Sequence, residues 1–153
     1  YRKHFVVEEK ERGRRFFLEF DGVFRNARVW VNGFYCGNEP SGYTSFGFDI
    51  TEYLNFGGSN VIAVRVDASL EEGWFYEGAG IYRHVWLTST KPLYVPQYGT
   101  FVRSELRDND AAVYITTEVR NKYQENTSFR ILNIINISTP TIFGSISRPC
   151  SGI

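Results

Sequence analysis

The chain has no methionine, only two cysteines, only two histidines and equal numbers of acidic and basic residues, and each shortage removes a class of protein. Cys36 and Cys150 are too few for a disulfide framework. Neither stands near another Cys or a His at metal-ligand spacing, so no metal site is expected. Cys36 alternates into a strand and reads as a buried free thiol. His4 and His84 are the only imidazoles, and no Ser or Cys nucleophile pattern surrounds them, so a nucleophilic triad has no candidates. No apolar stretch approaches the roughly 18 residues of a spanning helix, and no membrane role is expected. The 17 basic and 17 acidic residues cancel without any block of like charge. The electrostatic footprint of a nucleic-acid binder is therefore missing. No phosphate-cradling glycine loop is present, and no cofactor is expected.

What the chain does have is aromatic and β-forming. With 13 Phe, 10 Tyr, 3 Trp and 14 Gly, composition favours strands joined by tight turns. A strand is expected over residues 1–9, followed by a charged turn containing Gly13. Residues 15–21 alternate cleanly, with Phe16, Leu18 and Phe20 on one face and Phe17 and Glu19 on the other. Ala27, Val29 and Val31 share one face of the next strand, opposite Arg28 and Trp30. Asn32-Gly33 is the strongest local signal, because both residues tolerate the positive φ of a two-residue type I′ hairpin. Asn32 and Gly33 thus read as turn residues first.

Residues 34–37 are the returning strand, and residues 38–44 a loop crossing to another part of the sheet system. A short strand follows at 45–50, with Thr51 able to cap one helical turn. Residues 61–66 are apolar nearly throughout, as in a strand covered on both faces. Short strands near ten-residue spacing, without an amphipathic helix, predict an all-β sandwich.

One stretch, residues 73–87, concentrates unusual features. Trp74, Phe75, Tyr76 and Glu77 precede a Gly78-Ala79-Gly80 turn, and a strand carrying Arg83, His84 and Trp86 is expected over 81–87. Flat rings on a loop suit stacking against a sugar or another protein. Rings turned into the core are the competing reading, and spacing alone leaves both open.

Phe75-Tyr76 followed by Ala79-Gly80-Ile81-Tyr82-Arg83 resembles the segment closing the sugar-binding domain of glycoside hydrolase family 2, which includes β-galactosidases, β-glucuronidases and β-mannosidases. Three further stretches stand upstream in the right order: Arg28-Val29-Trp30-Val31-Asn32-Gly33, Gly42-Tyr43-Thr44-Ser45-Phe46 leading to Phe48-Asp49-Ile50-Thr51, and Asn60-Val61-Ile62-Ala63-Val64-Arg65-Val66-Asp67. The resemblance covers residues 1–90 well and the remainder weakly. It implies a jelly-roll β-sandwich like other galactose-binding domains, followed by the start of an immunoglobulin-like sandwich. The expected divisions are 1–91 for the sugar-binding domain with its first strands missing, 92–110 for a linker, and 111–153 for a partial immunoglobulin-like domain. Its first two strands would lie at 111–120 and 127–136, with poor order after about residue 122. Tyr1 is not an initiator Met and no signal-peptide core is visible, so the chain reads as a fragment of unknown localisation.

The resemblance also places both catalytic glutamates in a (β/α)8 barrel that these residues do not include, so no catalytic residue is expected here. Glycosidases flank the scissile bond with two carboxyl groups. Glu71 and Glu72 are neighbours and point to opposite sides of an extended segment, while nothing fixes Glu72 or Asp67 against Glu77. In several family members an acidic residue precedes the aromatic pair and reaches the barrel's pocket; here it is Trp74. Trp74, Tyr76 and Glu77 are the expected substrate-contacting residues, forming one wall of a pocket for a β-galactoside-like carbohydrate in the full enzyme. Arg83 is expected as a structural pivot, pairing with a carboxylate such as Asp67 or capping loop carbonyls. A free-standing carbohydrate-binding module and an oligomer-contact domain are the alternatives.

Overall fold

The computed structural model describes residues 1–69, 78–108 and 110–135. In chain order the strands are β1 (Arg2–Val6), β2 (Arg15–Phe20), β3 (Val23–Phe24), β4 (Ala27–Val31) and β5 (Phe34–Glu39). Then come β6 (Phe46–Asp49), β7 (Ser59–Arg65), β8 (Gly80–Ile81), β9 (Val85–Thr90) and β10 (Leu93–Tyr94). The last three are β11 (Thr100–Leu106), β12 (Ala111–Thr117) and β13 (Arg120–Asn121). A four-stranded antiparallel sheet, β1-β7-β4-β5, faces a three-stranded one, β6-β2-β9. The two-stranded β3–β8 ladder stands beside them.

Alternation decides which side chains meet between the sheets. Phe16, Leu18 and Phe20 of β2 and Ala27, Val29 and Val31 of β4 are buried, joined by Val7, Val23, Ile50, Leu54 and Val64. Each buried side chain of this size contributes roughly 1.5–3 kcal/mol relative to exposure. Burial of the alternate residues and exposure of Arg28 follow from the two-residue period of the pleat.

Asn32 and Gly33 have φ of 49° and 88°, and Val31 pairs directly with Phe34, so the hairpin closes in two residues. The Asn32 side chain does more than turn the chain. Its amide nitrogen donates to the Tyr53 carbonyl at 2.7 Å and to Asn60 Oδ1 at 2.8 Å, while its oxygen accepts from Val61 N at 2.8 Å. Asn60, fully buried, also accepts from Asn55 N and donates to the carbonyls of Asn55 and Gly58. A buried amide is tolerated because its hydrogen-bonding capacity is met.

The structure departs from the expectations at several points. The strand expected over 81–87 is two pieces. Tyr82 N donates to the Gly22 carbonyl and Asp21 N to the His84 carbonyl. Three residues, 82–84, therefore oppose two, and such an excess kinks a strand as a bulge does. The second piece continues to Thr90, and β5 likewise runs to Glu39. The strand expected over 61–66 is not covered on both faces: β7 buries Asn60 and Val64, while Val61, Ile62 and Ala63 are half-exposed.

At the short 3-10 turn Thr51–Tyr53, Ile50 holds the cap position without a side-chain bond. Asp49 Oδ1 instead accepts from Thr51 N, and the Thr51 hydroxyl accepts from Phe16 N. Cys36 is half-buried rather than buried; its burial raises the thiol pKa, opposed by a backbone hydrogen bond from Val31. Cys150 lies outside the described residues.

Residues 92–110 hold β10 and β11 rather than a bare connection. β11 pairs with β12 along its whole length, and β10 with β13. Residues 127–135 form no strand. The chain turns at 121–125, where Asn121 Nδ2 reaches the Glu125 carbonyl and Tyr123 N reaches Asn121 Oδ1. Residue 136 and everything after it, part of the stretch expected to be poorly ordered, lie outside the described residues.

Candidate functional site

The segment that drew attention in the sequence leaves and re-enters the sandwich at one end. On the leaving side, Asp67 N donates to the Arg25 carbonyl at 3.1 Å. The Asp67 carboxylate then accepts from Ser69 N, the Ser69 hydroxyl and Arg65 Nη2. Hydrogen bonds from Ser69 first, and the Arg65 guanidinium after them, hold its pKa below the ordinary carboxylate value. On the returning side, Gly80–Ile81 pairs with Val23–Phe24. Gly80 has a φ of 148°, a backbone conformation that residues with a Cβ rarely adopt, so this position favours glycine.

Two neighbouring turns are packed against the returning segment. The Tyr82 hydroxyl donates to the Gly42 carbonyl at 2.8 Å, tying residues 80–84 to the crossing loop. A Cβ on Gly42 would sit 2.1 Å from the Phe24 ring. Phe24 in turn meets Tyr43 edge-on, with ring centres 5.6 Å apart. Glu39 Oε1 accepts from Ser41 N and from the Thr44 hydroxyl, ordering the same loop.

Beside this lies a cluster built on Asp21. Its Oδ2 accepts from Trp86 Nε1 at 2.9 Å and stands 3.6 Å from His84 Nδ1, while the His84 and Trp86 rings lie 5.2 Å apart. Tyr43, Tyr82 and Trp86 are all exposed. This end of the sandwich therefore offers flat ring faces with hydrogen-bonding groups at their margins, a surface suited to stacking against sugars or apolar protein. An acid catalyst needs a raised pKa, and among the described residues at this end the Asp67 carboxyl is shifted the other way. Among the described residues no group of His, Cys, Asp and Glu could hold a metal ion.

The expected site residues fare unequally. Trp74, Tyr76 and Glu77 lie outside the described residues, as do Glu71 and Glu72. Asp67 stands at the leaving edge, but its carboxylate partner is Arg65 rather than Arg83. The Arg83 guanidinium instead lies over the Tyr82 ring, 5.6 Å from its centre. Arg83 and His84 do not alternate on a strand, because both fall in the kink between β8 and β9. Asn32 and Gly33 are at the far end of β4 from Asp67, since β4 pairs Arg28 with Arg65 and Val31 with Ile62. The Asp21–Trp86 bond had no signal in the sequence, as its partners are 65 residues apart.

Residues 1–92 match the family description of glycosyl hydrolases family 2, sugar binding domain. The chain belongs to glycoside hydrolase family 2. Its first 92 residues are a sugar-binding domain of that family, whose jelly-roll sandwich agrees with the all-β architecture above. The chain is 41% identical over 133 residues to a β-galactosidase of Bacteroides ovatus, an alignment covering 86% of this chain and 16% of the relative. It is 33% identical over 157 residues to a β-glucuronidase of Formosa agariphila, covering 88% and 16%. Among solved structures, a β-glycosidase from Bacteroides vulgatus superimposes with a TM-score of 0.76 at 38% identity, covering 82% of this chain and 16% of that one. The family 2 chain described here thus spans about one-sixth of the length of these relatives.

Proposed function

We propose that the chain is the non-catalytic sugar-binding part of a β-galactosidase-like glycosidase, and that its loop over residues 71–80 forms one wall of the sugar pocket. Trp74 supplies a stacking face where several family members carry an acidic side chain, with Tyr76 and Glu77 beside it. The observation that carries this reading is the double anchoring of that segment, at Asp67 and at Gly80–Ile81, next to the exposed rings of Tyr43, Tyr82 and Trp86. A wall of this kind positions substrate and excludes water without providing acid or nucleophile, and positioning alone is worth orders of magnitude in rate. Both catalytic carboxylates belong to a (β/α)8 barrel elsewhere in the polypeptide. Terminal β-galactosides are the favoured substrates; the β-glucuronidase likeness makes β-glucuronides the comparison to run. Residues from about 111 onward begin an immunoglobulin-like neighbour, joined to the sugar-binding part through residues 92–110.

The test is kinetic and uses the longer enzyme. Trp74→Ala is expected to lower kcat/KM for a chromogenic β-galactoside by about 10–100-fold, and Tyr76→Ala by less. Unchanged kinetics in both variants would remove the loop from the pocket. Calorimetry on the 153-residue chain separates the alternatives: sugar binding tighter than about millimolar favours a free-standing module. A stable, saturating dimer in sedimentation favours an oligomer-contact domain. Turnover by this chain alone overturns every version.

A further inference from the structure

The outer face of the four-stranded sheet carries charge and rings that the core does not call for. Val29 and Val31 of β4 are buried inward, so Arg28 and Trp30 point outward. The registers set Ala63 of β7 and Tyr35 of β5 on either side of Trp30, with Arg2 of β1 beyond Ala63. In the next outward row, Arg65 and Asn38 flank Arg28. Residues directly opposite in an antiparallel pair share a face, and Arg2, Arg28 and Arg65 are all exposed on this one. The Trp30 and Tyr35 ring centres are 5.6 Å apart, and Tyr35 is 51% exposed. Ala63, on the other side of the indole, carries only a methyl group.

Arg28 and Arg65 are the costly part of this arrangement, since like charges directly opposite on a sheet destabilise it. Asp67, just past β7, accepts from Arg65 Nη2 at 2.9 Å, but Arg28 makes no ion pair among the described residues. No outward position in the registers of these strands holds a carboxylate. The positive charge is therefore open to an anion from outside. β4 and β7 are each paired on both sides, so their backbone has no edge to offer and only side chains can make contacts.

We infer that this outer face binds an acidic polysaccharide, with a sugar ring laid on Trp30 and Tyr35 and the Arg28 and Arg65 guanidinium groups holding carboxylate or sulfate oxygens of the same chain. The C–H face of a sugar suits stacking on flat rings that keep a polar margin. The planar guanidinium fork matches carboxylate-like anions with paired hydrogen bonds. Arginines lie on two sides of the rings, one row along and two strands across. That layout fits a polymer with repeated charge better than a single anion. Peptides dock mainly through strand edges or grooves, whereas the backbone here is already paired. The inference does not use the loop over residues 71–80, so the pocket-wall reading can fail without touching it.

Calorimetry on the longer enzyme tests the inference, with polygalacturonate as the carboxylate probe, dextran sulfate as the sulfate probe and dextran as the neutral control. At least one acidic chain is expected to bind about tenfold or more tightly than dextran, and more weakly as salt is added. Arg28→Gln is expected to weaken that binding about tenfold, and Trp30→Ala about three- to tenfold. Arg28→Gln also removes the like-charge pair, so it should unfold at the same or a higher temperature while binding less, which a merely structural arginine would not do. It also keeps the test open if Trp30→Ala fails to fold. Preference between the two acidic probes assigns the anion. Equal affinity for dextran, binding to neither acidic chain, or acidic binding unchanged in either variant would overturn the inference. So would polyglutamate bound as tightly as the acidic chains, which would assign the face to an acidic peptide.

Discussion

Two ladders of similar length show what a strand gains from its surroundings. β2 and β9 align six residue pairs and β11 and β12 align seven. β2 buries every second side chain, whereas every residue of β11 is exposed. The β11–β12 hairpin has cross-strand contacts of its own: the Arg103 guanidinium lies 3.9 Å from the Tyr114 ring centre, and Tyr114 donates to Glu105. Surface contacts of this kind contribute little each. Hydrogen bonding makes a ladder, but only an opposing layer makes a core. Val85 and Leu87 of β9, opposite Phe20 and Leu18 yet exposed, are the same lesson within a single sheet.

The sharpest way to break the comparison is to truncate one phenylalanine in each ladder. Phe20→Ala, beneath the four-stranded sheet, is expected to cost about 3–5 kcal/mol. Phe101→Ala, 65% exposed on β11, should change stability by less than about 0.5 kcal/mol. Urea unfolding measures both, and similar losses would mean that β11 is covered as β2 is.

A smaller effect concerns the polar part of the core. Asn60→Ala leaves the Asn32 amide, Asn55 N and two carbonyls without their partner. The expected cost is about 1–3 kcal/mol, read in the same unfolding experiment. A neutral result would show that water replaces the amide.

The smallest effect is electrostatic. Burial raises the Asp49 pKa, but hydrogen bonds from Thr51 and Arg15 outweigh it and leave the pKa below its reference of 3.8. Because the folded value is the lower one, this group's stabilisation is present above pH 3.8 and is lost as pH falls through the folded pKa. Asp49→Asn should therefore flatten the acid limb of a stability–pH curve by under about 1 kcal/mol. At neutral pH it should also show the lost Arg15 ion pair. An acid limb identical in the two proteins would count against the shift.

Much of the sandwich was legible because its signals are local. Alternation in residues 15–20 and 27–31 fixed both the strands and their buried faces, and Asn32-Gly33 fixed the hairpin between β4 and β5. The kink at residues 82–84 was not legible, since it comes from pairing with Asp21 and Gly22 some 60 residues earlier. Nor was the exchange of Asp67's partner, because Arg65, two residues away, satisfies the carboxylate that Arg83 was expected to reach. At the candidate site, the resemblance implied that residues 71–80 form a pocket wall, and residues 70–77 lie outside the described residues. The Asp21–Trp86–His84 cluster beside it appears only when distant strands are brought into register.

The sequence by itself determined the all-β class, the inward faces of β2 and β4 and the membership of family 2, because side-chain period and ordered motifs are properties of neighbouring residues. Tertiary structure alone decided which inward faces were covered. Leu18 and Leu87 are the same residue type on the same face of adjacent strands, and one is buried while the other is not. That difference depends on how far the opposite sheet extends, a distance that no local pattern encodes.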